Sequence, residues 1–373
     1  MENFKNNLKK FDFILFFAVL ILTIIGNILV ASATASFSGG KTQVLVQIFA
    51  TIIGICGCAL VSFWDYEFIA KKFRWLVGTD IFMLVLVLIL GIGAEEVGGK
   101  SWIRIGPVGV QPSEFVKIGF ILSFSYQLHL YQNKINEPKN LLKALLHIVT
   151  IVFLIMLQPD FGTTMVFISI FAVMVFCARI KWRYIFGAAG AIGISLPIMW
   201  QFFFKEYQKK RILTFFNVGS DSQVSGYQVM QSKTAIGSGQ LFGQGLFNGT
   251  LTQNELLPAK HTDFIFAVAG EELGFVGAFI IVALILFIVI RCYMTAMSAK
   301  EPLGAYIAIG VGTMLLVQSL ENIGMTVGLT PVTGITLPFL SYGGASRLTH
   351  YIAIGFVLNV KIRNKKINFD YSV

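Results

Sequence analysis

Apolar residues run along this chain in ten long blocks, near 11–33, 44–63, 76–93, 111–130, 141–158, 160–178, 184–203, 263–290, 302–323 and 340–360. Each comes close to the roughly 20 residues that an α-helix needs to cross a bilayer. Blocks five and six read as a tight helical hairpin broken at Gln158-Pro159-Asp160. Proline cannot donate a backbone hydrogen bond and biases the residue before it away from helix. The pattern predicts an all-α polytopic membrane protein of about ten spans, forming one integral-membrane domain over 1–373, with a large extracytoplasmic loop at 204–262 between spans seven and eight. No repeat or low-complexity tract interrupts it.

Composition narrows the picture. Apolar side chains make up 55% of the 373 residues and charged ones only 13%, against about 25% charged in soluble proteins. That excludes an ordinary soluble enzyme, a disordered chain and a nucleic-acid binder. The net charge of +10 then reads as basic cytoplasmic loops. With the N-terminus placed inside, inner segments hold 18 Lys and Arg and outer ones 10, six of which belong to the 204–262 loop. Long loops translocate largely regardless of charge, so both termini are expected in the cytoplasm. The first block ends Ala31-Ser32-Ala33, like a signal cleavage site, but is too long and is read as a retained anchor. Cys56, Cys58, Cys177 and Cys292 all lie in apolar stretches and are read as small core residues.

The elaborate segments, 94–110, 204–262 and 324–339, fall on the outer side, where recognition or chemistry is expected. Charges at bilayer depth cost about 2.5–3.5 kcal/mol each and mark functional sites by default. Those singled out are Glu114, Lys117, Asp160, Asp263, Glu271, Glu272 and Glu321. Gln111, Glu114 and Lys117 are spaced by three, so they share nearly one helix face, and Glu114 can pair with Lys117. They form either a self-satisfied ion pair or a charged cavity wall. Asp160 and Asp263 each precede an apolar run. Each is either a helix N-cap or, for Asp263, a general base at the membrane boundary. His261 is a proton partner or a polar neighbour. The basic cluster Lys209-Lys210-Arg211, with Lys233 and Lys260, is suited to lipid headgroups or to phosphate. GSGQLFGQG resembles a phosphate-cradling loop but lacks the strand–loop–helix setting of a nucleotide site.

Six blocks carry a resemblance: GGKSWIRIGPVGVQPSEFVKI (98–118), QPDFGTT (158–164), KRILTFFN (210–217), GYQVMQSKTAIGSGQLFGQG (226–245), LPAKHTDFIFAVAGEELGFVG (257–277) and NIGMTVGLTPVTGITLPFLSYGG (322–344). In this order they resemble the SEDS proteins (shape, elongation, division and sporulation). RILTFFN, AIGSG and NGT look closer to the RodA branch than to FtsW. The resemblance implies a ten-helix polymerase of peptidoglycan strands that uses lipid II at the outer face of the bacterial cytoplasmic membrane. It also implies a class B penicillin-binding protein as partner and membrane lipid around it, with no nucleic acid. The family's essential aspartate falls on Asp263, its polar central cavity on Glu114 and Lys117, and its QPD aspartate on Asp160. Two departures stand out: Ala259 replaces a usual acidic residue, and Gln240 replaces a usual glycine.

The implied reaction is an inverting glycosyl transfer, with Asp263 as base. Lys117, Arg211, Lys233 and Arg347 are candidates to hold the leaving pyrophosphate, with a divalent metal as a further candidate. Gln111, Asp160, Lys260, His261, Thr262, Glu321 and Ser341 complete the expected substrate-binding set. A flippase for lipid-linked oligosaccharide is the runner-up and a recruiting scaffold the third class. Elaborate loops on one face, and no evident inverted repeat, favour the enzyme.

Overall fold

The computed structural model describes residues 10–37, 39–91, 101–105, 108–132, 134–187 and 224–364, and singly 190, 193, 197 and 201. Most of the span expected at 184–203, and Arg211 with its basic neighbours, lie outside the described residues. The elements are α1 (Phe13–Ala33), α2 (Gly40–Phe63), α3 (Tyr66–Lys71), α4 (Phe73–Leu90), β1 (Ile103–Ile105), β2 (Val108–Val110), α5 (Pro112–Leu130), α6 (Pro138–Met156), α7 (Phe161–Cys177), α8 (Val224–Ser238), α9 (Thr250–Gln253), α10 (Ile265–Ser298), α11 (Pro302–Val327) and α12 (Gly344–Arg363). Among the described residues, nine of the ten expected blocks are therefore helical. The two strands pair antiparallel, Ile103 opposite Val110, in a small hairpin just before α5.

Helices α1, α2, α4, α6, α10 and α11 are long and apolar enough to cross a membrane. In α1, Leu15, Leu22 and Leu29 are buried while Ile14, Ile21 and Ile28 are exposed. Inner and outer faces are equally apolar, as a helix between protein and lipid requires. Helices α5 and α12 differ. They carry many polar residues, yet most of their length is buried. Helix α12 packs against α2, α11 and α5, and α5 also against α4 and α11. Surrounded by other helices, they hold charges away from lipid. At one end, Asp12 caps α1 and pairs with Arg291 of α10.

The eighth block departs from expectation. It is not one span beginning at Asp263: α10 starts at Ile265 and breaks at Gly274, whose φ of 68° and ψ of −168° are non-helical. A break leaves backbone groups without helical partners, which lipid cannot satisfy. The segment after α8 supplies those partners. The N–H groups of Gln244 and Gly245 donate to the carbonyls of Glu271 and Glu272 at 2.9 and 3.0 Å, and the carbonyls of Gln240 and Leu241 accept from Phe275 and Val276 at 2.8 and 3.1 Å. Such an approach needs bare backbone. A Cβ on Gly274 would stand 2.7 Å from the Leu241 carbonyl. Gly239 and Gly243 of GSGQLFGQG thus serve close packing against a broken helix. Gln240, in place of a usual glycine, takes a left-handed φ of 47°.

The cysteines need a correction. All four are free, but only Cys58 and Cys292 are buried; Cys56 and Cys177 are exposed on the outside of the bundle, where a thiol meets lipid as a small apolar group.

Gly274→Ala adds a Cβ to a glycine-only conformation and drives it into the 241–243 backbone. It should destabilise the protein by about 2 kcal/mol or more, read as a lowered thermal midpoint in detergent.

Candidate active site

The N-terminal ends of α5, α7, α10 and α12 meet the C-terminal end of α11. Pro112 opens α5, where its missing N–H costs nothing. One turn on, Glu114 and Lys117 form an ion pair at 2.8 Å with side chains 6% and 1% exposed. Asp160 is the N-cap of α7 and accepts from the Thr163 N–H at 3.0 Å. It also accepts from the Thr163 hydroxyl at 2.8 Å and from the Gln111 amide at 3.0 Å, which joins the starts of α5 and α7. Lys117 lies within electrostatic reach of Asp160 and of Glu321 on α11. Arg347, in the first turn of α12, is buried and donates weakly to the Ser341 carbonyl at 3.4 Å. His350 lies within electrostatic reach of both cations and pairs with Gln318 at 3.0 Å.

This cluster is not closed on itself. Glu114 Oε2, Glu321 Oε2, Arg347 Nη1 and Ser113 Oγ are buried without a hydrogen-bond partner among the described residues. Buried polar atoms of this kind cost about 1–3 kcal/mol each when unsatisfied. Their concentration at one end marks a place built to receive polar groups from outside.

Asp263 stands on a turn before α10. It is not the cap: the N-cap is Phe264, without a side-chain bond. A Cβ on Gly334 would lie 3.6 Å from Asp263 Oδ2, and the flanking Thr333 and Ile335 side chains pack on Gly162, the second residue of α7. Asp263 and the Asp160 cluster therefore abut the same short segment. Below the turn, the buried Lys260 ammonium donates to Ser36 at 2.8 Å and to the Thr252 carbonyl, and lies 4.6 Å from the centre of the Phe37 ring. Burial lowers its pKa, against the pull of Glu255, Glu271 and Glu272. Burial and then Lys260 lower the His261 pKa, which leaves a neutral imidazole. Lys260 thus has structural partners rather than an open phosphate site.

Glu271 and Glu272 are structural too. The Glu271 carboxylate accepts from the N–H groups of Leu251 and Thr252 at 2.7 and 3.0 Å, and Glu272 accepts from Ser32 at 2.6 Å. Lys233 stands apart, exposed, its ammonium lying on Gly328, the left-handed C-cap of α11, at the negative end of that helix dipole. Among the described residues, no group of three His, Cys, Asp or Glu side chains is placed to hold a metal, so no step is routed through a divalent ion.

Two buried residues went unread in the sequence. Asp80 of α4 presses its carboxylate on Gly119 of α5, and its Oδ2 lacks a partner among the described residues. A lone Asp in an apolar run was the available signal. Asn322 follows Glu321 but carries no charge, so nothing singled it out.

Such an arrangement, an apolar bundle around a charged cluster that collects at one end, defines a polytopic membrane protein with an interior polar site. The chain belongs to the FtsW/RodA/SpoVE family of cell cycle proteins, which it matches over residues 12–366. It is 38% identical to stage V sporulation protein E of Bacillus subtilis, over 94% of this chain and 96% of that protein. It is 33% identical to a probable peptidoglycan glycosyltransferase FtsW of Trichlorobacter lovleyi, over 95% and 93%. Among solved structures, it resembles a chain from a study of how a peptidoglycan synthase complex coordinates polymerization and crosslinking, with TM-score 0.81, 26% identity and 95% and 99% coverage. The Thermus thermophilus rod shape determining protein RodA is similar at TM-score 0.70 and 25% identity, over 94% and 96%.

The Glu114–Lys117 pair gives a direct test of the buried cluster. Glu114→Gln or Lys117→Met alone should cost about 3–5 kcal/mol, by leaving one buried charge uncompensated. The double variant should regain part of that loss, read by thermal unfolding of the detergent-solubilised chain.

Proposed function

We propose that this chain is a peptidoglycan glycosyltransferase that polymerises lipid II at the outer face of the cytoplasmic membrane. One observation carries the reading. Asp263, the position of the family's essential aspartate, abuts the 333–335 segment that also packs on the end of α7 where Asp160, Gln111 and Lys117 gather. A base and a buried cation thus border one site.

The C4 hydroxyl of the acceptor sugar attacks the anomeric carbon of the donor. A carbon–oxygen bond forms with inversion, and the bond from that carbon to the pyrophosphate oxygen breaks. The Asp263 carboxylate takes the hydroxyl proton. Lys117 and Arg347, the two buried cations of the cluster, meet the charge that develops on the leaving undecaprenyl pyrophosphate. Glu114 holds the Lys117 ammonium in place through their 2.8 Å ion pair. The guanidinium, with one nitrogen unpaired among the described residues, suits a phosphate oxygen. The helix N-termini that converge here add positive potential. The substrate's lipid tail stays in the bilayer while its sugars reach the site.

Both termini lie in the cytoplasm on this reading, and a class B penicillin-binding protein crosslinks the strands. The RodA-like motifs favour a role in elongation, whereas the names of the similar relatives, FtsW and stage V sporulation protein E, favour division or sporulation with the same chemistry.

The full chain, reconstituted with its penicillin-binding partner and labelled lipid II, should polymerise glycan. Asp263→Asn should lower that rate by about 10²–10⁴-fold and leave the thermal midpoint within a few degrees. A near-native rate for Asp263→Asn overturns the base assignment, and translocation of lipid II without polymer marks a flippase instead.

A further inference from the structure

We propose that Asn322 and Ser341 are positioning residues that fix the Asp263 carboxylate in its working place. This rests on the reading of Asp263 as the base.

Asp263 precedes the first turn of α10, so no helical repeat fixes its backbone, and the N-cap Phe264 adds no side-chain bond. The turn is held from within by bonds to the Ala259 carbonyl, from the N–H groups of Thr262 and Phe264 at 3.1 and 3.2 Å and from the Thr262 hydroxyl at 3.2 Å. It is held from outside by its carbonyls, one after another. The His261 carbonyl accepts from the Tyr342 N–H at 2.8 Å. The Thr262 carbonyl accepts from the Ser341 hydroxyl at 2.6 Å. The Asp263 carbonyl accepts from the Asn322 amide at 2.8 Å.

Two of those three donors are side chains, and each makes a second bond to the facing segment. Asn322 also donates to the Ile335 carbonyl at 2.6 Å. Ser341 also accepts from the Leu337 N–H at 2.7 Å. Ile335 follows Gly334, the residue beside the Asp263 carboxylate. Each side chain thus bridges the turn that bears the base and the strip of backbone that faces it, and together they set the width of the gap between the two. Asn322 is 0% exposed and Ser341 5%. They act through Asp263: the Ser341 hydroxyl is taken up by Thr262 and Leu337, and the Asn322 amide nitrogen by Asp263 and Ile335.

A misplacement of about 1 Å in a reacting group costs on the order of 10²-fold in rate. Ser341→Ala and Asn322→Ala should each lower kcat for lipid II polymerisation by about 10–100-fold. The experiment uses the full chain with its partner and counts rate per folded molecule. KM for lipid II should stay within about twofold, because the cations are untouched. Ser341→Thr keeps the hydroxyl and should recover most of the rate, which a role in packing volume would not allow. If Asn322→Ala fails to fold, the Ser341 pair decides alone. An inactive Asp263→Asn beside Ser341→Ala and Asn322→Ala proteins with near-parental kcat overturns the positioning role. Equal loss in Ser341→Thr and Ser341→Ala overturns it as well. An active Asp263→Asn overturns instead the reading of the base on which it rests.

Discussion

Lipid donates and accepts no hydrogen bonds, so each polar group at bilayer depth needs a partner from the chain itself. Where α10 breaks at Gly274, four backbone groups are taken up by residues 240–245. Without that pairing the break would have to close into a continuous helix. The break in turn separates a short helical stub, residues 265–273, from the long span that follows. The stub carries Asp263 at its front, and the two glutamates that anchor residues 251–253 and Ser32 near its end. One satisfied discontinuity thus lets a membrane helix present a carboxylate on a rigid platform.

The same constraint sorts the helices. Those that touch lipid are apolar over most of their surface, and α5 and α12, which carry the Glu114–Lys117 pair and Arg347, are wrapped by other helices. A buried ion pair such as Glu114–Lys117 adds little stability on balance, since desolvation offsets its attraction. Its retention beside orphaned oxygens and an orphaned guanidinium nitrogen points to use rather than to folding. Among the described residues some buried polar atoms lack partners, and four of them, on Ser113, Glu114, Glu321 and Arg347, lie together where the helices begin.

Much of this was legible in the residues. Length and apolar content placed nine of the described helices, and the cost of charge in lipid singled out Glu114, Lys117, Asp160, Asp263 and Glu321. What stayed hidden had physical reasons. The break at Gly274 could not be read from hydropathy, because the apolar run resumes directly after it, and its partner strip lies some thirty residues away in the chain. Glu271 and Glu272 look as costly as Glu114, but their carboxylates meet backbone N–H groups and hydroxyls that only the fold brings near. Cys56 and Cys177 sit in apolar stretches that face outward, and periodicity cannot tell lipid from core when both are apolar. Asn322 was invisible because an amide bears no charge, although burying it with both protons committed leaves as little freedom as an ion pair does.

The contrast between substrate and site follows from these points. A lipid-linked sugar chain is long, flexible and free to diffuse in the membrane plane, so its own order contributes little to the encounter. On the proposed function, the Asp263 carboxylate must then supply the fixed point. It stands at the mouth of the bundle, on a turn with no repeating structure of its own, where loops are ordinarily the most mobile part of a protein. Fastening three successive carbonyls to α11 and to the segment before α12, and the Lys260 side chain to the start of α2's connection and to α9, gives that turn the rigidity of the helices behind it. Order is concentrated around Asp263, and the unpaired atoms of Glu114, Glu321 and Arg347 are, on the proposed function, open to the polar groups of the substrate.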